Sequence, residues 1–247
     1  MRGAHHVLDP GRPFLADNVC ALAVMTKAPR PGQVKTRLVP PLTPEQAAQL
    51  NVCFLRDTAA AIAQACSRTA RGVAVYTPAG SEAAYADILP REFELLPQRG
   101  DGFGERLGFA IADLLQCGFS SVCLIDSDSP TVSAKTYATA VDLLSQPAER
   151  IVLGPSDDGG YYLIGMKRYR PRLFERIDWS TDLVLQQTKE RARELNLPVE
   201  LLPSGYDVDD AASLRRLREE LLSSASAAKL ASCTQKFLAE LPTAKPS

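Results

Sequence analysis

Only the stretch PSDDGG, Pro155 to Gly160, separates two apolar runs of this chain, Arg150 to Gly154 (RIVLG) and Tyr161 to Met166 (YYLIGM). Both runs are short and apolar and read as buried strands. So short a link cannot carry the chain across a sheet, because parallel neighbours need a crossover of roughly a dozen residues or more. The chain must reverse direction here, and the sheet that these strands join is mixed.

The rest of the chain keeps a steadier rhythm. Val19 to Met25, Gly72 to Thr77, Phe93 to Pro97, Ser120 to Ile125 and Val199 to Leu202 read as further strands. Thr43, Pro44 and Gln46 stand at the N-cap, N1 and N3 positions of a helix start. Ala47, Leu50, Phe54, Thr58, Ile62 and Ala65 follow at helical spacing, so one face of that helix packs on a sheet. Helices are also expected from about Gly104 to Gln116, from Ser133 to Ser145, over WSTDLVLQQTKERARELN, and from near Asp210. This alternation predicts an α/β fold, a mainly parallel sheet with helices on both faces. The chain has 247 residues, 45% of them hydrophobic, enough for a sizeable core. No internal repeat or linker divides it, so one domain is expected over 19–222. A flexible leader at 1–18 precedes it, and a loosely attached helix with a frayed end follows at 223–247.

Charge and cysteine usage narrow the function classes. A formal net charge of -1 gives no global basic field, which argues against a general nucleic-acid binder. The six cysteines form no C-x-x-C pair and sit mostly in apolar patterns, the mark of free thiols in a reducing compartment. No apolar run approaches the roughly 18 residues of a membrane span, and the leader lacks the apolar core of a secretory signal. A cytoplasmic protein is expected. His5 and His6 fall in the polar leader, where a frayed tail is the expectation rather than a metal site.

Ligands of open α/β sheets bind at the carboxyl ends of the strands, and four polar motifs follow strand ends here. The first, TKAPRPGQVKTRLVPPL, is stiffened by Pro29, Pro31, Pro40 and Pro41 and turned by Gly32. Lys35 and Arg37, two apart in an extended segment, would point to one side. With Lys27 they suit phosphate oxygens; the alternative is a solvated basic loop. The second, IDSDSPT, pairs Asp126 with Asp128, carboxylates suited to a hard divalent cation, Mg²⁺ or Mn²⁺, that bridges to phosphates. Alternatively, Asp128 or Ser129 caps the helix ahead. The third, GPSDDGGYYLIG, offers Asp157 and Asp158 as hydroxyl ligands or a base, and Gly159 and Gly160 for close approach, unless it is an ordinary D-G turn. The fourth, GYDVDD, could complete a metal site through Asp207 or Asp209, with Asp210 as a helix cap. A Gly-rich loop, QRGDGFGERL, with Gln98, Asp101 and Gly102, could hold a base or ribose, or merely connect. Trp179 could line a pocket or anchor packing.

KAPRPGQVKTRL, QRGDGFGERL, DSDSP, LGPSDDGGYYLIG, IDWST and DVDD occur in this order in a family of bacterial nucleotide-diphospho-sugar-transferase-like proteins, and the chain resembles that family over about Val19 to Leu217. The family was catalogued as a domain of unknown function, and members are labelled glycosyltransferases linked to arsenosugar biosynthesis. The first loop also resembles the phospholactate guanylyltransferases. The resemblance implies a GT-A fold with a nucleotide site at the carboxyl edge of the sheet. It implies Lys27, Lys35 and Arg37 on phosphates, Asp128 and Asp209 as metal carboxylates, and Asp157, Asp158, Gly159, Gly160 and Tyr161 facing an acceptor. Asp126 stands where the family usually has Gly, which ranks it below Asp128. Lys35, Asp128 and Asp158 are the expected catalytic residues of a transferase. Its donor would be a nucleotide sugar or a nucleoside triphosphate, its acceptor a small molecule. The residues leave glycosyl transfer, nucleotidyl transfer and a non-catalytic nucleotide-binding module open; the family labels favour the first.

Overall fold

In the computed structural model, which describes residues 5–13 and 18–241, the first expected strand is β1, Cys20–Lys27. Cys20, Leu22 and Val24 face one apolar cluster and Ala21 and Ala23 another, so β1 is covered on both sides. The other strands are β2 (Ala70–Thr77), β3 (Glu94–Pro97), β4 (Ser121–Ile125), β5 (Ile151–Pro155), β6 (Tyr161–Met166) and β7 (Val199–Leu201). They form one sheet in the order β3-β2-β1-β4-β6-β5-β7. β6 runs antiparallel to both its neighbours, while the other pairings are parallel. The short PSDDGG link thus makes the reversal its length demanded.

The helices are α1 (Pro44–Ala65), α2 (Phe103–Gln116), α3 (Ala134–Ser145), α4 (Val184–Glu194), α5 (Ala211–Ser223), α6 (Ala225–Leu230) and α7 (Ser232–Glu240). α1 opens with the expected capping box of Thr43 and Gln46. Leu55 and Ile62 of α1 and Tyr137 and Leu144 of α3 fill one face of the sheet. Ile111 and Leu114 of α2 and Ala192 of α4 fill the other. A third cluster packs Leu50 and Phe54 of α1 against Leu38, Val208, Leu217 of α5 and Leu238 of α7. It joins the first loop of the chain to its last helices.

Three expectations are corrected. The leader is not frayed where it is described: Leu8 is buried, Leu8 N–H donates to Leu95 O at 2.7 Å and Leu95 N–H to His6 O at 2.9 Å. The open edge of β3 supplies those groups, and a strand edge takes a passing segment readily. His5 and His6 therefore lie along β3, while 1–4 and 14–17 lie outside the described residues. The C-terminal segment is two docked helices, α6 and α7, rather than a loose one. Asp57 of α1 accepts from the backbone N–H groups of Cys233 and Thr234, at 2.9 and 2.8 Å, and so caps α7 from a distance; the expected end at 242–247 lies outside the described residues. The fourth helix begins only at Val184, which leaves Trp179 to Leu183 as a wall segment. Among the described residues no helix is long and apolar enough to cross a membrane.

Candidate active site

The strand order turns at β1. The chain moves outward through β2 and β3, then returns to place β4 on the other side of β1. The crevice outside the carboxyl ends of β1 and β4 is thus the switch point, where open α/β sheets bind ligands. The basic loop leaves β1 into this crevice. Gly32 turns it at φ +73, and Leu38 and Leu42 anchor it in the third cluster. Lys35 is itself left-handed, at φ 49 and ψ 38, and Thr36–Leu38 is a single 3-10 turn. The extended segment expected here is therefore corrected to a tight turn. Lys35 and Arg37 still converge: Lys35 Nζ lies 2.8 Å from Asp209 Oδ1, and Arg37 Nη2 lies 3.2 Å from Asp209 Oδ2.

Lys35 also reaches Asp128 Oδ1 at 2.9 Å and donates to Val208 O at 2.7 Å. Burial works against its charged form, but the charges of Asp128 and then Asp209 outweigh it, and the Lys35 pKa lies above the ordinary lysine value. Asp126 has a different task. It accepts from Asp128 N–H, Ser129 N–H and Ser129 Oγ, at 3.3, 3.2 and 2.8 Å, which fixes the turn after β4. Burial, and then the neighbouring Asp128 charge, hold its pKa well above the usual carboxylate range. The cap of α3 is Ser133, so the capping alternative for Asp128 and Ser129 does not apply.

The DDGG turn forms the far wall. Asp157 pairs with Arg216 at 2.8 Å, whose guanidinium lies over the Tyr206 ring. Asp158 accepts from Gly160 N–H at 2.9 Å. Gly159, at φ +86, abuts the backbone of Asp182. Trp179, in the same wall segment, packs edge-on to Phe103 at 5.2 Å between ring centroids. Gly104 is what admits it, since a Cβ there would lie 2.8 Å from Trp179 Cε2. Trp179 also borders the crevice, beside Ser180 and Thr181. Asp207 accepts from Ser156 Oγ at 3.2 Å, and burial, followed by the charges of Asp158 and Asp209, raises its pKa.

The crevice has two lobes, of about 890 Å³ and about 330 Å³, which share Met25, Arg37, Phe103, Ser127, Asp128 and Asp209. Their charges differ. The small lobe is lined by Lys27, Lys35, Arg37 and Arg106 against two aspartates, Asp128 and Asp209. The large lobe is lined by eight aspartates, Asp158 and Asp207 among them, against two arginines, Arg37 and Arg216. Gln98 lines the small lobe, its amide donating to Thr26 O and Val75 O at 3.1 and 2.8 Å. Asp157, Gly160, Tyr161 and Trp179 line the large one. Asp101 and Gly102 line neither; their N–H groups donate to Glu105 at the start of α2. Their neighbours Phe103 and Arg106 take the place expected of them. Sequence reasoning also missed Asn51, which lines the small lobe with its buried Oδ1 unpartnered. The signal was a polar residue one position past Leu50 on the buried side of α1.

Asp128 and Asp209 offer hard oxygens across the seam of the lobes. That donor set fits Mg²⁺ or Mn²⁺, which take one or two protein carboxylates and complete their shell with phosphate and water. Asp126 does not fit, because its oxygens hold the turn. Among the described residues no group of three or more His, Cys, Asp or Glu side chains could hold a metal ion, so any site here is a sparse one.

Residues 57–181, just over half of the 247, match a family described as "Uncharacterized protein conserved in bacteria (DUF2064)". The structure is similar to that of a Desulfovibrio desulfuricans G20 protein provisionally assigned as a nucleotide-diphospho-sugar transferase, with 28% identity over 92% of this chain and 98% of that one and a TM-score of 0.77. It shares its fold with a CMP:2-keto-3-deoxy-manno-octonic acid synthetase solved with CTP (11% identity, 83% and 99% covered, TM-score 0.51). It shares it also with Rv0371c from Mycobacterium tuberculosis H37Rv (18% identity, 82% and 98% covered, TM-score 0.51). No curated protein matches the sequence. The sheet and its helices are those of the GT-A arrangement.

Proposed function

The chain belongs to the DUF2064 family of bacterial proteins, and we propose that it is a metal-dependent glycosyltransferase that moves a sugar from a nucleotide diphosphate sugar to a small acceptor. The observation that carries this reading is the opposite charge of the two lobes meeting at Asp128 and Asp209. The basic lobe suits the donor's phosphates, held by Lys27, Arg37 and Arg106, with Gln98 and Asn51 beside the nucleoside. The acidic, aromatic-walled lobe suits a neutral polyhydroxylated sugar and acceptor, bound through Asp157 and Asp158 and against Gly160, Tyr161 and Trp179. A divalent cation on Asp128 and Asp209 would supply charge stabilisation of the departing diphosphate. Asp158 takes the proton of the acceptor hydroxyl as its oxygen bonds to the anomeric carbon. The bond from that carbon to the diphosphate breaks, and the electron pair leaves with the nucleoside diphosphate. Arg37 and Arg106 meet the charge that develops.

A second reading, nucleotidyl transfer from a nucleoside triphosphate to a phosphorylated small molecule with release of pyrophosphate, is favoured by the basic loading of the small lobe. Its weakness is electrostatic. A phosphorylated acceptor would have to enter a lobe lined by eight aspartates and two arginines, both arginines already paired with aspartates.

The test is a thermal-shift panel of nucleoside triphosphates and nucleotide sugars with and without Mg²⁺ or Mn²⁺, followed by product analysis on the best donor. Metal-dependent stabilisation by a nucleotide sugar and release of a nucleoside diphosphate support glycosyl transfer. Release of pyrophosphate replaces it with the second reading. Binding without turnover of any donor would leave a non-catalytic module.

A further inference from the structure

The Lys35 ammonium donates to Val208 O at 2.7 Å and to Asp209 Oδ1 at 2.8 Å, and forms an ion pair with Asp128 Oδ1 at 2.9 Å. The side chain is only 5% exposed and passes Phe54, with Nζ 5.4 Å from the ring centroid. A lysine so placed already has its charge balanced by the two carboxylates. Equally, the two carboxylates proposed for the metal already share a cation, and Asp209 has a second one in Arg37. A divalent ion arriving beside a buried ammonium would meet strong repulsion, because little water lies between to screen it.

We infer that Lys35 is the built-in counter-ion of the Asp128–Asp209 pair, and that its ammonium and a divalent cation compete for the same carboxylate oxygens. The protein alone then holds metal weakly. Lys35 also lines the basic lobe, so phosphate oxygens there offer it replacement acceptors and release the carboxylates. Metal and phosphate therefore favour each other's binding, and by linkage the coupling is reciprocal. The inference rests on the metal pair proposed above and not on which group is transferred.

The test is calorimetric titration of MnCl₂ into the whole protein without nucleotide. Lys35→Met should bind Mn²⁺ about tenfold more tightly than wild type, and Lys35→Met/Asp128→Asn should lose the gain. Equal affinity of wild type and Lys35→Met, with both weakened by Asp128→Asn, would overturn the competition and leave the metal pair standing. No Mn²⁺ binding by folded Lys35→Met would overturn the metal pair and the inference together. Should Lys35→Met fail to melt cooperatively, wild type and Asp128→Asn decide. The substitution should leave the Mn²⁺ isotherm unchanged for the protein alone and weaken it about tenfold with pyrophosphate present. Equal weakening in both conditions, or none in either, overturns the inference.

Discussion

Gly159 and Asp182 meet backbone to backbone: a Cβ on Gly159 would lie 2.6 Å from the Asp182 α-carbon and closer still to its carbonyl oxygen. The contact docks the wall segment that carries Trp179 onto the DDGG turn, and the N–H of Leu185 seals it by donating to Gly159 O at 2.8 Å. Gly159 is also at φ +86, so an alanine there is both strained and obstructed. Gly159→Ala should cost about 2–4 kcal/mol in urea denaturation and raise the KM for the acceptor. A cost under about 1 kcal/mol would mean that the wall segment moves aside freely.

Asp126 and Asp128 are two residues apart and should behave differently. Asp128→Asn should lower kcat/KM by about 10²–10³, because the carboxylate faces the seam of the lobes. Asp126→Asn should lower it by less than about tenfold, since an amide oxygen can still accept from the Asp128 and Ser129 N–H groups. Steady-state kinetics of the two variants at saturating metal separates the roles; equal losses would return Asp126 to the site.

Asp57 holds the first turn of α7 by two charge-assisted hydrogen bonds, from Cys233 and Thr234. Asp57→Ala removes the cap and leaves two N–H groups without an acceptor. Stability should fall by about 2–3 kcal/mol, read from the urea midpoint, with α7 the first region to gain hydrogen exchange. Exchange that rises evenly over the whole chain would deny α7 this dependence.

Burial pushes the Cys66 and Cys117 thiols up to about 11. A thiol with a raised folded-state pKa binds its proton more tightly in the native protein. Its stabilisation is complete below the free-thiol value, about 8.5, and is lost as pH rises through about 11. Denaturation midpoints should therefore decline between these values, and Cys117→Ala should flatten the decline. An unchanged slope in that variant would assign the alkaline limb elsewhere.

The reversal at PSDDGG was legible because chain length alone forbids a crossover, and the Thr43 and Asp210 caps because their hydrogen bonds are local. The loop from Lys27 to Leu42 was legible as a basic, ordered segment but not in its shape. The left-handed Lys35 sends its ammonium to Asp128, Val208 and Asp209, far along the chain, and no alternation rule carries that information. The docking of α6 and α7 was hidden for the same reason. Their alanine- and serine-rich sequence looks weak by itself, and the acceptor that holds α7 sits on α1. In QRGDGFGERL the motif was visible while the wrong members drew attention, because Asp101 and Gly102 are spent on starting α2 and Phe103 and Arg106 turn into the crevice.

The third apolar cluster also ties an early loop to late helices. Leu38 of the basic loop and Val208, beside Asp209, share one apolar cluster with Leu217 of α5 and Leu238 of α7. Those helices follow every strand of the sheet in the chain. The side of the crevice that carries Lys35 and Asp209 therefore rests on packing contributed from outside the sheet, and a substitution in α5 or α7 can reach the seam between the lobes without touching it.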